Sequence, residues 1–236
     1  SGSLTQTAGG TGAKSISFNG DNSGFTGTFT QNNDGNNRTA FNASTAGSAS
    51  AAWVLNRNVN GGTALNIPSG STISFGALSG GGFIRANTTG TITVSVGALN
   101  SDTTLSGKFQ QSNGSTQLAL TKVGTGIFTL STTNDHTATT TVNNGTLNIT
   151  GAVQNSDMIV NSSGTLQLGA SKTIKSITVN GAGTAKLGGS EIITNNASLT
   201  GAGSTIDLVN TTVDTVNVNG GTGLTLGGST VTDTAL

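Results

Sequence analysis

Apolar residues return along this chain in two rhythms at once. The short rhythm is two residues, as in Met158 with Val160, Ile177 with Val179, Leu166 with Leu168 and Leu224 with Leu226. That spacing sends side chains to one face of a strand. The long rhythm is about nineteen residues. Val142, Val160, Val179, Leu199 and Val218 form one column, and Leu147, Leu166, Ala185, Ile206 and Leu224 a second. A looser third column holds Val153, Ile174, Ile193, Val213 and Val231. Asn, Gly and Ser fill the gaps, and these residues suit tight or left-handed corners.

Three short strands and three corners per period predict a chain that coils upon itself. An antiparallel meander gives no reason for every strand to recur in one direction at a fixed step. Stacked turns do, because each column then becomes a parallel sheet. The expected fold is all-β, a parallel β-solenoid with about 19–21 residues and three short strands per turn. About twelve turns at roughly 4.8 Å per stacked strand would make a rod about 55 Å long. A lone turn buries too little apolar surface to offset the entropy of ordering it, so stability must come from neighbours in the stack.

The two halves differ. Trp53 and all eight Phe residues lie at or before Phe128. Residues 1–119 read as a less regular part of the solenoid with a wider, aromatic-filled core and longer loops; residues 120–236 carry the regular repeats. "VNGGTALNI" (Val59 to Ile67) echoes the later repeats, and "FGAL" at Phe75 returns as "VGAL" at Val96. "QNNDGNNRT" (Gln31 to Thr39) is the expected protruding loop. Its Asn32, Asn33, Asn36, Asn37 and Arg38 are the candidate binding residues. One continuous solenoid is expected, and a fragment of a longer chain, since neither an export signal at Ser1 nor a polar cap at Leu236 is evident.

Composition narrows the chemistry. Charged residues are 8 % of the 236, nine of each sign. A nucleic-acid surface needs many more cations, as does a polybasic membrane patch. Low charge with a clear period also argues against disorder. Cysteine is absent, which removes disulfides and thiolate metal sites, and no apolar run reaches membrane-spanning length.

"LTKVGTGIFTLSTTNDHTATTTVNNGTLNI" (Leu120 to Ile149) resembles the passenger-associated repeat of bacterial autotransporters. Leu120, Lys122, Gly124, Gly126, Leu130, Asn134, Thr141, Val142, Gly145, Thr146 and Leu147 carry the likeness. His136 stands where Tyr is usual, and Ala138 and Thr139 where Gly-Gly is usual. "ISFGALSGGGFI" (Ile73 to Ile84) and "GALNSDTTLSGKF" (Gly97 to Phe109) resemble segments found upstream of such repeats. The resemblance implies a secreted, right-handed parallel β-helical stalk on the outer face of a Gram-negative outer membrane. Export would use a C-terminal membrane barrel that this sequence lacks. It implies no cofactor and no catalytic residues.

His136 is the only histidine. Adjacent Asp135 would point the other way on a strand, so the pair makes a poor catalytic dyad, and a corner or surface position is expected. The acids Asp135, Asp157, Glu191, Asp207, Asp214 and Asp233 are scattered, whereas a glycosidase needs two carboxyls about 5–9 Å apart. Asp207 is expected to face outward, with Lys186 below it and Thr225 above. "GAGTAKLGG" (Gly181 to Gly189) and "GTG" at Gly124 lack the following helix of a phosphate loop and read as corners. Trp53, among Ala, Val and Leu, reads as core. Outward Thr146, Thr178, Thr205 and Thr225 form a column broken by Lys186 and Asp207, too irregular for ordering ice.

The expectation is therefore a non-enzymatic surface stalk or adhesin. Its partner would be a host glycan, a matrix protein or a second copy of itself. A polysaccharide-cutting enzyme on the same scaffold and a passive spacer are the alternatives.

Overall fold

The computed structural model describes residues 2–7, 15–32, 38–58, 62–111, 114–153, 156–169, 171–220 and 223–232. All paired strands are parallel. Among the described residues the only helical element is a single 3₁₀ turn, Ser44–Ala46.

The turns stack in register. Val142, Val160, Val179, Leu199 and Val218 are successive ladder partners. So are Leu147, Leu166, Ala185, Ile206 and Leu224, and Ile174, Ile193, Val213 and Val231. The columns expected from spacing are columns in space, except that Val153 is bridged to Asn134. Along them inward residues are buried as far as Val213, as in the alternation of Asp157–Leu168, whereas Val218 and Val231 are exposed and Leu224 is half-buried at the end of the described stack.

The first half winds wider than expected. Leu4, Phe29, Trp53 and Leu78 stack with steps of 25, 24 and 25 residues. Thr103 to Phe128 is another step of 25. From Phe128 to Leu147 the step falls to 19 and stays between 18 and 21. The stack thus holds about ten turns rather than twelve, a rise of about 48 Å at 4.8 Å per turn.

The cause is what each turn encloses. Trp53 packs edge-on or tilted against Phe18, Phe25, Phe29, Phe41 and Phe75, with ring centroids 5.2–5.9 Å apart. Its indole N–H donates to the Ser48 carbonyl at 3.2 Å. A turn of 24 or 25 residues has room for such rings. Beyond Phe128 the core is Val, Leu, Ile, Ala and one Met, and a shorter loop closes around it.

A separate five-stranded sheet, Ser15–Phe18, Arg38–Phe41, Thr63–Leu65, Phe83–Ala86 and Lys108–Gln110, forms one wall of the wide turns. "FGAL" and "VGAL" do coincide, Phe75 pairing with Val96. The early "VNGGTALNI" does not share the position of the later copies. Its Thr63–Leu65 belongs to this wall, between Phe41 and Ala86, and its first residues lie outside the description. Strand pairing continues across residue 119, where Thr116–Lys122 lies on Gly90–Val96.

Candidate functional surface

Residues 120–149 build one corner of the solenoid from the inside. Leu120 is buried on the strand Thr116–Lys122. Two residues on, Lys122 takes the same inward position, stacked between Val96 and Val142, and is 1 % exposed. Its ammonium donates to the carbonyls of Val123 (2.6 Å), Gly124 (2.7 Å) and Asn144 (3.2 Å). Burial pushes its pKa down to about 8, while Asp102 pulls the other way. The charge collects carbonyls that turn inward where the chain bends.

The glycines of the segment are spaces the neighbouring turn occupies. A Cβ on Gly126 would lie 2.5 Å from the Ser101 carbonyl oxygen, and one on Gly145 2.4 Å from that of Gly124. Gly124 and Gly145 also have φ of +68° and +63°, a region that disfavours side chains. Asn134 is fully buried. Its amide oxygen accepts from Phe109 N–H at 3.0 Å, and its amide nitrogen donates to Thr132 at 2.8 Å.

His136 is not on the surface, although it lies in the connection between the strands Ile127–Leu130 and Thr140–Ile149. It is fully buried, edge-on to Phe109 at 5.9 Å. Its Nε2 meets Thr140 Oγ1 at 2.9 Å, and that hydroxyl meets Ser156 Oγ at 3.2 Å. Burial pulls its pKa down to about 4, opposed by Asp135. The ring takes the inward position that a tyrosine would fill, so the histidine lies in the core. Asp135 is half-buried and bonds Lys108 at 2.8 Å.

The described acids all bond to their own chain. Asp21, Asp102 and Asp207 accept from backbone N–H groups of Ser23, Ile127 and Val209. Glu191 accepts from Gly189 N–H and Thr211. Asp157 holds Lys175 and Ser176; burial raises its pKa, but these bonds outweigh it and the net shift is downward. Asp214 accepts from Thr232. Asp207 does stand between Lys186 and Thr225 in the ladder. Among the described residues no group of three or more potential metal ligands occurs.

The outward threonines Thr146, Thr178, Thr205 and Thr225 do not share one column. Thr146, Thr165, Thr184 and Thr205 are successive partners, and Thr205 Oγ1 donates to Thr184 Oγ1 at 3.0 Å. Lys186 and Asp207 belong to the neighbouring column with Asn148 and Gln167. Thr178 lies on another strand beside Ile159 and Ser198, and Thr225 stands over Asp207. Offsets of one or two residues merged distinct columns in the linear reading.

The chemistry most repeated outside is amide. Asn42 donates to Asn19, Asn66 to Asn42 (2.8 Å) and Asn87 to Asn66 (2.9 Å), beside the five-stranded sheet. Asn161 donates to Asn143 (2.7 Å) and Asn180 to Asn161 (3.0 Å) on the narrow turns. Asn143, Asn161 and Asn180 directly follow Val142, Val160 and Val179, so the narrow-turn ladder has the same 18- and 19-residue steps as the first apolar column; the steps of 21 to 24 on the wide turns gave no such signal. Of the expected binding loop, Asn32 is half-buried and its N–H donates to the Gln6 carbonyl. Arg38 is exposed at the start of Arg38–Phe41, and its carbonyl accepts from the Gln6 side chain. Asn33, Asn36 and Asn37 lie outside the described residues.

Comparison with known proteins agrees with this geometry. Residues 120–149 match the family model described as the passenger-associated-transport-repeat. A stacked parallel solenoid carrying that segment fits an autotransporter passenger repeat. No curated protein and no solved structure matches the chain.

Proposed function

We propose that this chain is part of an autotransporter passenger, a stalk carried to the outer face of a Gram-negative bacterium, and that it serves in adhesion rather than catalysis. Secretion to the surface is what the repeat at 120–149 implies. The observation that carries the adhesive reading is a pair of outward asparagine ladders, one of four exposed rungs and one of three rungs with Asn161 and Asn180 half-buried. Each rung offers amide groups at the strand spacing, and repetition supplies avidity without a deep pocket. Near-zero net charge leaves little repulsion between copies. Host glycans, matrix proteins and a second copy of the chain are the partners this chemistry fits. The seven described carboxylates all being engaged by the fold supports a non-enzymatic role.

Beads coated with the protein provide the test. Binding to host cells or matrix supports adhesion, and clumping of beads alone supports self-association. Inert beads in both formats would refute the adhesive reading and leave a spacer.

A further inference from the structure

Where the solenoid narrows, its outer surface carries a groove of about 490 Å³, within the range of small-ligand pockets. It crosses four turns. The first contributes Phe83, the second Ser106 and Lys108, the third Ser131, Thr132 and Thr133, and the fourth Gly151.

Glycines stack beside it, and Gly151 lines it. A Cβ on Gly82 would lie 2.4 Å from the Leu55 carbonyl oxygen. One on Gly107 would lie 1.8 Å from that of Gly82, and one on Gly151 1.9 Å from that of Thr132. Stacked backbones therefore meet directly at the corner beside the groove. Thr132, the member of this corner with a side chain, has it turned onto the Gly107 carbonyl.

The walls are held before any ligand arrives. The Lys108 ammonium sits 5.2 Å from the centre of the Phe83 ring and 2.8 Å from Asp135 Oδ2. Ser106 Oγ donates to the Gly80 carbonyl at 3.3 Å. Lys108 is the one charged residue that lines the groove, and Asp135, outside the lining, neutralises it through their bond. A fixed cationic donor, with the hydroxyls of Ser131 and Thr133 on the next turn, suits a neutral partner with several hydroxyl groups. Turns repeat at about 4.8 Å, comparable to the length of one pyranose unit in an extended chain.

We propose that this groove binds a neutral, unbranched glycan laid along the solenoid axis, its hydroxyls bonded to Lys108, Ser131 and Thr133. This deepens the adhesive reading by naming a ligand class and a site. Pre-fixed side chains lower the ordering cost of binding, and many copies at a cell surface would multiply a weak single-site affinity.

The test is titration of the isotope-labelled protein with neutral cello-, malto-, manno- and chito-oligosaccharides, and with heparin fragments as the anionic comparison. A neutral member should give saturable amide shifts centred on Ser106, Lys108 and Thr133. Lys108→Met and Thr133→Val, each checked for an unchanged thermal midpoint, should weaken it, Lys108→Met by about tenfold, as expected for losing a bond to a charged group. Asn161→Ala, on the narrow turns, should not. No saturable shift with any neutral sugar at millimolar concentration overturns the proposal. So does binding of heparin alone, and so does unchanged affinity in both groove variants. Coated beads separate the two readings. Cell binding that survives both substitutions keeps the adhesin and removes the groove, whereas sugar binding by beads that adhere to nothing keeps the groove and removes the adhesin.

Discussion

Lys122 and Val142 are partners in one ladder, so a lysine stands one turn below a valine in the same buried column. The column remains continuous because the ammonium leaves the apolar interior at the corner and takes three carbonyls. The stem packs as a hydrophobe would, and the charge is matched by acceptors the bend would otherwise leave with fewer partners.

Replacing that lysine separates stem from charge. Lys122→Met keeps most of the volume and removes all three bonds. A loss of about 2–4 kcal/mol is expected, read as a lower denaturant midpoint. An unchanged midpoint would mean that burial cost and bonding cancel.

His136 ties stability to pH. Its folded pKa is lowered from 6.5 to about 4 by burial, so between these values the unfolded chain binds more protons than the folded one. Its contribution is complete above pH 6.5 and is lost as pH falls through that window, by about 3 kcal/mol at most. His136→Phe should flatten the dependence of the thermal midpoint between pH 6.5 and pH 4. A slope equal to that of the parent would assign it to the carboxylates instead.

Two glycines should respond differently to the same methyl group. Gly70 has φ of +79° with nothing near its missing Cβ, so Gly70→Ala should cost only the backbone strain, about 1–2 kcal/mol. At Gly107 the new atom would strike the backbone of the turn below. Gly107→Ala should therefore be far more damaging, seen as insoluble or protease-sensitive protein. Equal costs would contradict the close stacking at that corner.

The asparagine ladder predicts a position effect. Asn66 shares bonds with both Asn42 and Asn87, whereas Asn19 has one ladder partner. Asn66→Ala should lower stability by about 0.5–1.5 kcal/mol, and Asn19→Ala by less. Paired urea titrations decide it, and the reverse order would show that the amides are held by solvent rather than by each other.

Much of this was written in the linear order of residues. The three columns after Val142 are an arithmetic fact of the chain, and alternate burial follows once strands stack. The outward place of Asp207 followed from its neighbours Ile206 and Leu208. The wide turns were harder to find because bulges and uneven corners spread the steps there: Phe18 to Phe41 is 23 residues, and Leu65 to Ala86 is 21. Aromatic content signalled a larger core but not a count of turns.

By itself the sequence determined the parallel coil, because a fixed apolar step with interleaved corner residues is satisfied by stacking. Tertiary structure alone decided which residues share a rung. It bonded asparagines of successive turns into ladders, placed Thr165 and Thr184 between Thr146 and Thr205 in one column, and put His136 and Lys122 inside. The reason is that outward and polar positions carry no apolar signal of their own. Their register is inherited from the buried columns, and one bulge or longer corner shifts it by a residue that linear spacing does not reveal.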